Sequence, residues 1–163
     1  MDQPMATWWR RHTTLPLVVA EAERYAAEIN RIGIPVVRVK IEAALDNEEI
    51  PLQDADAIAR EPGNYFEHHV KLLRATTASR AALLQTCDKH GAHLSRNAFR
   101  EIAEGQEERF VTLRSYGMGR NSSERQLQQL LASLEELGEK VVERESEYCT
   151  YDSNLDLDAG WLR

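Results

Sequence analysis

The sequence predicts an α+β fold, a two-layer sandwich with helices on one side of an antiparallel sheet. Three observations carry this. An amphipathic helix, a glycine and a strand follow one another three times, with Gly33, Gly91 and Gly138 at the same place in each unit. Glycine just past a helix end supplies the left-handed turn that releases the chain without a Cβ clash. The strand segments alternate apolar and polar residues, the mark of a sheet with one face buried. Each helix carries a single apolar stripe, enough to cover one sheet face. The run from about 64 to 152 spells βαββαβ, the ferredoxin-like pattern, and an N-terminal βαβ unit is expected to extend it.

Residues 1–11 read as an arm, with Trp8 and Trp9 adjacent, and 12–163 as one domain of three strand-helix-strand units. His12–Val19 (HTTLPLVV) is expected as a first edge strand, since Pro16 cannot donate to a ladder. Glu21–Ile32 follows as helix, with Tyr25, Ile29 and Ile32 on its stripe. Pro35–Ala43 alternates strictly and reads as a strand. The segment Asp46–Asn64 is a polar connection with a short helical stretch, DADAIAR. Tyr65–Leu73 is the next strand, Ala78–His90 the second helix and Ala92–Phe99 the strand after it. Asn97–Glu108 reads as a connection tightened at Gly105, and Phe110–Tyr116 as a strand. Ser122 or Ser123 caps a third helix that runs to Leu137 along Leu127, Leu130, Leu131 and Leu134. Lys140–Asp152 is the last and longest strand.

Composition narrows the function classes. The chain has 163 residues, a net charge of −7 and a pI near 5.3. A nucleic-acid binder would show a basic surface. The opening MDQPMATWWRRH has no apolar signal core and no stretch approaches a membrane span. Two cysteines, Cys87 and Cys149, make no disulfide framework. A cytoplasmic protein is the expectation, with no nucleic-acid or membrane partner and no cofactor.

The chemistry-bearing residues fall on one predicted sheet face. Alternation places Arg38, Lys40 and Glu42 together on one strand, and Glu67, His69 and Lys71 on the next. His93, Ser95 and Asn97 follow on the third, and Thr112 and Arg114 on the fourth. Glu143, Glu145 and Glu147 form a row whose side periodicity does not set, because Arg144 and Ser146 opposite are polar too. Histidine suits proton transfer near neutral pH, so His69 and His93 are expected as acid–base groups with Glu67 orienting or acting as base. Arg38, Lys40, Lys71 and Arg114, with Glu42, Ser95 and Asn97, would line a site for a small carboxylate or phosphate. A solvated face, or a charged interface with another protein or a second copy of the chain, explains the same alternation.

Metal-binding patterns are weak. His68 and His69 are neighbours, so in a strand they point to opposite faces; His68 is expected toward the helices. No HExxH or CxxC spacing is present. The tail run Asp152, Asn154, Asp156, Asp158 begins like a calcium loop, but Leu157 stands where glycine is needed. The loop YGMGRNSS has two glycines before a helix N-terminus, an arrangement that can bind an anion, though it serves equally as a plain capped connection.

The strings VRVKIEA, YFEHHVKL, HLSRNAF, ERFVTLRSY and EYCTYDSNLDLDAGWL resemble those of a family of bacterial proteins over roughly 35–161. No activity is attached to that family, so the resemblance implies no site roles.

Overall fold

The computed structural model describes residues 4–11, 13–60, 62–95, 100–103 and 105–158. Its elements are α1 (Leu15–Arg31), β1 (Lys40–Ala43), α2 (Asp54–Ile58), β2 (Tyr65–Ala75), α3 (Arg80–Lys89), β3 (Ala92–Leu94), β4 (Arg100–Ala103), β5 (Gln106–Tyr116), α4 (Arg120–Glu136) and β6 (Lys140–Asp152), followed by a 3-10 turn over Leu155–Asp158. The six strands form one antiparallel sheet in the order β1-β6-β2-β5-β3, with β4 paired to β5. The fold is α+β.

Alternation explains the layers. Val70 and Leu72 of β2, Val111 and Leu113 of β5, and Ala92 and Leu94 of β3 turn to one side. They pack there against Leu83 and Cys87 of α3 and Leu127, Leu130 and Leu134 of α4. Seven of these side chains have no exposed surface at all, and burying each contributes roughly 1.5–3 kcal/mol before entropy. A smaller cluster of Ile50, Phe66 and Tyr148 continues the core under α2. His68 sits on this helix side, as its parity requires. Its ring nitrogens lie 2.7 Å from the Ser146 and Ser123 hydroxyls, and burial lowers its pKa. Two neutral partners satisfy it in the core.

The N-terminal expectations need correction. His12–Val19 does not begin a strand: Leu15 opens a 17-residue helix with Pro16 in its first turn, and His12 lies outside the described residues. A helix's first N–H groups have no intrahelical partner, so proline's missing donor costs nothing there. The N-terminal unit therefore adds one strand, and that strand is short. Of Pro35–Ala43 only Lys40–Ala43 pairs, along β6. Upstream, Val39 exchanges two hydrogen bonds with Ser153, and the Val37 carbonyl accepts one from the Asn154 side chain. The expected connection Asn97–Glu108 contains β4, which turns back into β5 at Gly105, where φ is +78°. Asn97, the end of the strand expected to reach Phe99, and Trp161 lie outside the described residues.

The glycine loop before α4 also differs from expectation. Gly119, not a serine, precedes the first helical residue. The Gly119 N–H donates to the Asp54 carboxylate at 2.8 Å, and the Ser122 hydroxyl donates to its other oxygen at 2.9 Å. An internal carboxylate thus takes the place of an anion at this helix start. A Cβ on Gly119 would meet the Gln53 backbone at 2.3 Å, so glycine lets α2 dock there. No helix among the described residues is long and apolar enough to cross a membrane.

Candidate functional site

The opposite sheet face collects the ionisable residues. Antiparallel pairing places Glu67 beside Arg114 on β5 and Glu147 on β6; His69 beside Thr112 and Glu145; and Lys71 beside Phe110 and Glu143. The glutamate row of β6, whose side the sequence left open, therefore shares this face. On β1, Lys40 and Glu42 lie opposite Asp152 and Cys149 of the same side. His93 of β3 stands across β5 at Thr112, so His69, Thr112 and His93 form one transverse row.

At the centre is Glu67, a carboxylate with 1% of its surface exposed. Lys40 donates to its Oε2, and Arg114 donates through Nε to its Oε1 at 2.5 Å. Burial alone would raise its pKa; His69, Lys40 and Arg114 together hold it well below the ordinary carboxylate range. His69 Nε2 lies 3.5 Å from Glu67 Oε2, and Nδ1 lies 3.2 Å from the Thr112 hydroxyl. Burial pulls the His69 pKa down, but the Glu67 charge overrides it and the net shift is upward. A third of the His69 side chain is exposed, so the imidazole links the buried carboxylate to solvent.

Around this centre the other expected residues are already engaged. Lys40 also meets the Glu42 carboxylate. Arg38 makes a bidentate pair with Asp152, at 2.9 and 2.5 Å, and donates to the Tyr65 hydroxyl at 3.3 Å. Tyr65 in turn donates to Asp152 at 3.0 Å. Lys71 lies 3.3 Å from both Glu108 and Glu143, further along the sheet. Ser95 sits past the end of β3, its N–H bonded to the Phe110 carbonyl, away from Glu67. The structure thus gathers Lys40, Glu42, Glu67, His69 and Arg114 into one cluster, places Arg38 beside it, His93 one strand over and Lys71 one step along.

Two residues with no role assigned from sequence belong to the centre. Glu147 faces Glu67, and burial together with the neighbouring Glu42 carboxylate raises its pKa to about 7. Thr112 holds the His69 ring. Alternation contained both signals, since Thr112 was on the polar set and Glu147 on a glutamate row, but only strand pairing shows which neighbours they meet. Cys149 also lies on this face; burial pushes its thiol up to about 11, so it is an un-ionised, weakly reactive thiol.

Carboxylates outnumber cations here. Lys40 and Arg114 face Glu42, Glu67 and Glu147. A surface depression lies elsewhere, beside α2 along Ile50, Pro51, Asp56 and Arg60; converging donors and acceptors, rather than a hollow, mark the candidate site. Comparison with protein families, with curated proteins and with solved structures gives no match.

Proposed function

We propose that the polar sheet face around Glu67 and His69 binds a small anionic metabolite, a carboxylate or phosphate, and exchanges a proton with it. The observation that carries this reading is a buried carboxylate reaching solvent through one partly exposed histidine. Glu67 and Thr112 set the His69 ring from two sides, the orienter-and-base arrangement of acid–base sites. His93, in the same row, is the second proton-transfer group. Lys40 and Arg114, with Arg38 beside them, supply charge-assisted donors for the ligand's oxygens. Lys71 and Ser95 belong to the outer edge of the same surface; Asn97, expected beside them, lies outside the described residues. The reading takes the βαββαβ run as ferredoxin-like; the spatial order β6-β2-β5-β3 with antiparallel neighbours supports it. A cytoplasmic setting suits two un-ionised cysteines without a partner disulfide.

Thermal unfolding against a panel of carboxylates and phosphates tests it, with His69→Ala beside the wild type. A ligand at a hundred times its dissociation constant adds about 2.7 kcal/mol, which is several degrees for a chain of this size. Stabilisation lost in the variant supports the reading; no stabilisation by any anion overturns it.

A second reading has its own observation. Trp9, Leu17, Ile32 and Val37 expose 82, 65, 74 and 59% of their surface along α1 and the segment before β1. Exposed apolar side chains of this size suit a protein partner or a second copy of the chain. Leu17→Glu should leave a monomer if copies meet there, and sedimentation of both forms checks it.

A further inference from the structure

We propose that Glu67, His69 and Glu147 form a divalent transition-metal site, for whose position the Lys40 ammonium competes. The inference rests on the polar face being the working surface, and it reassigns His69 within it from carrying a proton to holding the ion. One donor atom from each of the three residues lies within 4.8 Å of the others. Ligand bonds of about 2.0–2.2 Å require these atoms to stand somewhat closer, and a side-chain rotation of Glu147, which is only partly buried, supplies that movement.

The chemistry of the donors is specific. One imidazole nitrogen with two carboxylate oxygens suits zinc, manganese or iron(II) rather than calcium or magnesium, which prefer oxygen alone. Three protein ligands leave a position for water or for an oxygen of a small anion. That position answers a difficulty in the charge pattern. Glu42, Glu67 and Glu147 outnumber Lys40 and Arg114, and both cations are already engaged by these carboxylates, so an approaching anion finds their positive charge taken up. A divalent ion reverses the balance.

The surrounding contacts are the independent observation. Metal ligands are held from behind by second partners. Here Arg114 takes Glu67 Oε1, leaving Oε2 to face the cluster, and Thr112 takes His69 Nδ1, leaving Nε2 to face it. Glu42 lies against Glu147. Oε2 is the oxygen that Lys40 contacts. Lys40 therefore holds with an ammonium the Glu67 oxygen that an ion would take, and its Glu42 contact gives it somewhere to go when an ion enters.

Calorimetric titration of tag-free, chelator-treated protein with zinc chloride, then manganese chloride, tests this. The expected result is one ion per chain, bound at least tenfold more weakly by His69→Ala and by Glu147→Gln. Lys40→Met should bind several-fold more tightly, still with one ion per chain and still dependent on His69. Far-UV circular dichroism confirms that each variant is folded. No binding by the wild type, or equal binding by wild type and both weakened variants, overturns the metal site. The anion panel repeated with chelator present separates the two proposals: stabilisation there that requires His69 leaves the anion reading standing when the ion fails.

Discussion

Strand β2 carries two buried ionic clusters, one on each sheet face, and they are built on opposite plans. Near its C-terminal end, on the helix side, Arg74 is 5% exposed. It meets Glu139 at 3.0 Å, Glu107 at 3.2 Å and the Ser79 carbonyl at 3.2 Å, while Arg109 meets Glu107 at 3.1 Å. Two cations face two anions. The cluster ties β2, β5, the turn before β6 and the start of α3 together at the edge of the core. Near the N-terminal end, on the other face, Glu67 sits among Lys40 and Arg114 with Glu42 and Glu147 close by, and His69 opens toward solvent. Carboxylates there outnumber the fixed cations. A balanced, enclosed network is what a structural cluster needs, because an uncompensated buried charge is costly. Excess carboxylates beside a partly exposed histidine are what the proposed ligand site would use and a purely structural cluster would not.

Removing one group from each cluster should break the comparison open. The largest expected effect is Arg74→Ala, which strands Glu107 and Glu139 without their shared cation and should cost about 3–5 kcal/mol. Urea unfolding measures it. Glu67→Gln keeps the shape but removes the charge that Lys40 and Arg114 contact, both of them partly exposed; a loss of about 1.5–3 kcal/mol is expected by the same measurement. Glu147→Gln should go the other way. It removes one of three crowded carboxylates and should stabilise the protein by about 0.5–2 kcal/mol at pH 8, while weakening ligand or ion binding. A Glu147→Gln protein less stable than wild type would mean the polar face is balanced after all.

The smallest effect is in the pH dependence. Burial works to raise the Glu107 pKa, but Arg109 and Arg74 hold it below the ordinary value of 4.5. A carboxyl with a depressed folded pKa adds stability that is present above its unfolded pKa and is lost as pH falls through the folded one. Wild type should therefore lose stability below about pH 4.5, and Glu107→Gln should lose less over the same range. Acid titration of the unfolding midpoint in both proteins checks this.

The comparison also shows what sequence carries and what it does not. Period-two alternation put Lys40, Glu42, Glu67, His69, His93, Thr112 and Arg114 on one face, and the bounds of β6 were legible to the residue. What alternation lacks is register. That Asp152 faces Lys40 and reaches Arg38, or that Glu147 faces Glu67, depends on which strands pair, and β6 lies between β1 and β2 although it comes last in the chain. Only the start of the first helix departs from expectation, for a local reason: LPLVV carries a proline and two β-branched valines, which suit an edge strand, yet proline is at home in a first helical turn. Asp54 at the start of α4 had no sequence signal at all, since 65 residues separate it from Gly119.

The most direct test of the polar face as a ligand site is the nitrogen-15 spectrum of the histidine rings during titration with a stabilising anion. The chain has five histidines, so each ring can be assigned by substitution. His69 should shift with ligand and His93 should follow, while His68, held between two core serines, and His90, bonded to Ser133 at 2.8 Å, should stay in place. A ligand that binds while the His69 ring remains unmoved would place the site elsewhere and contradict the account.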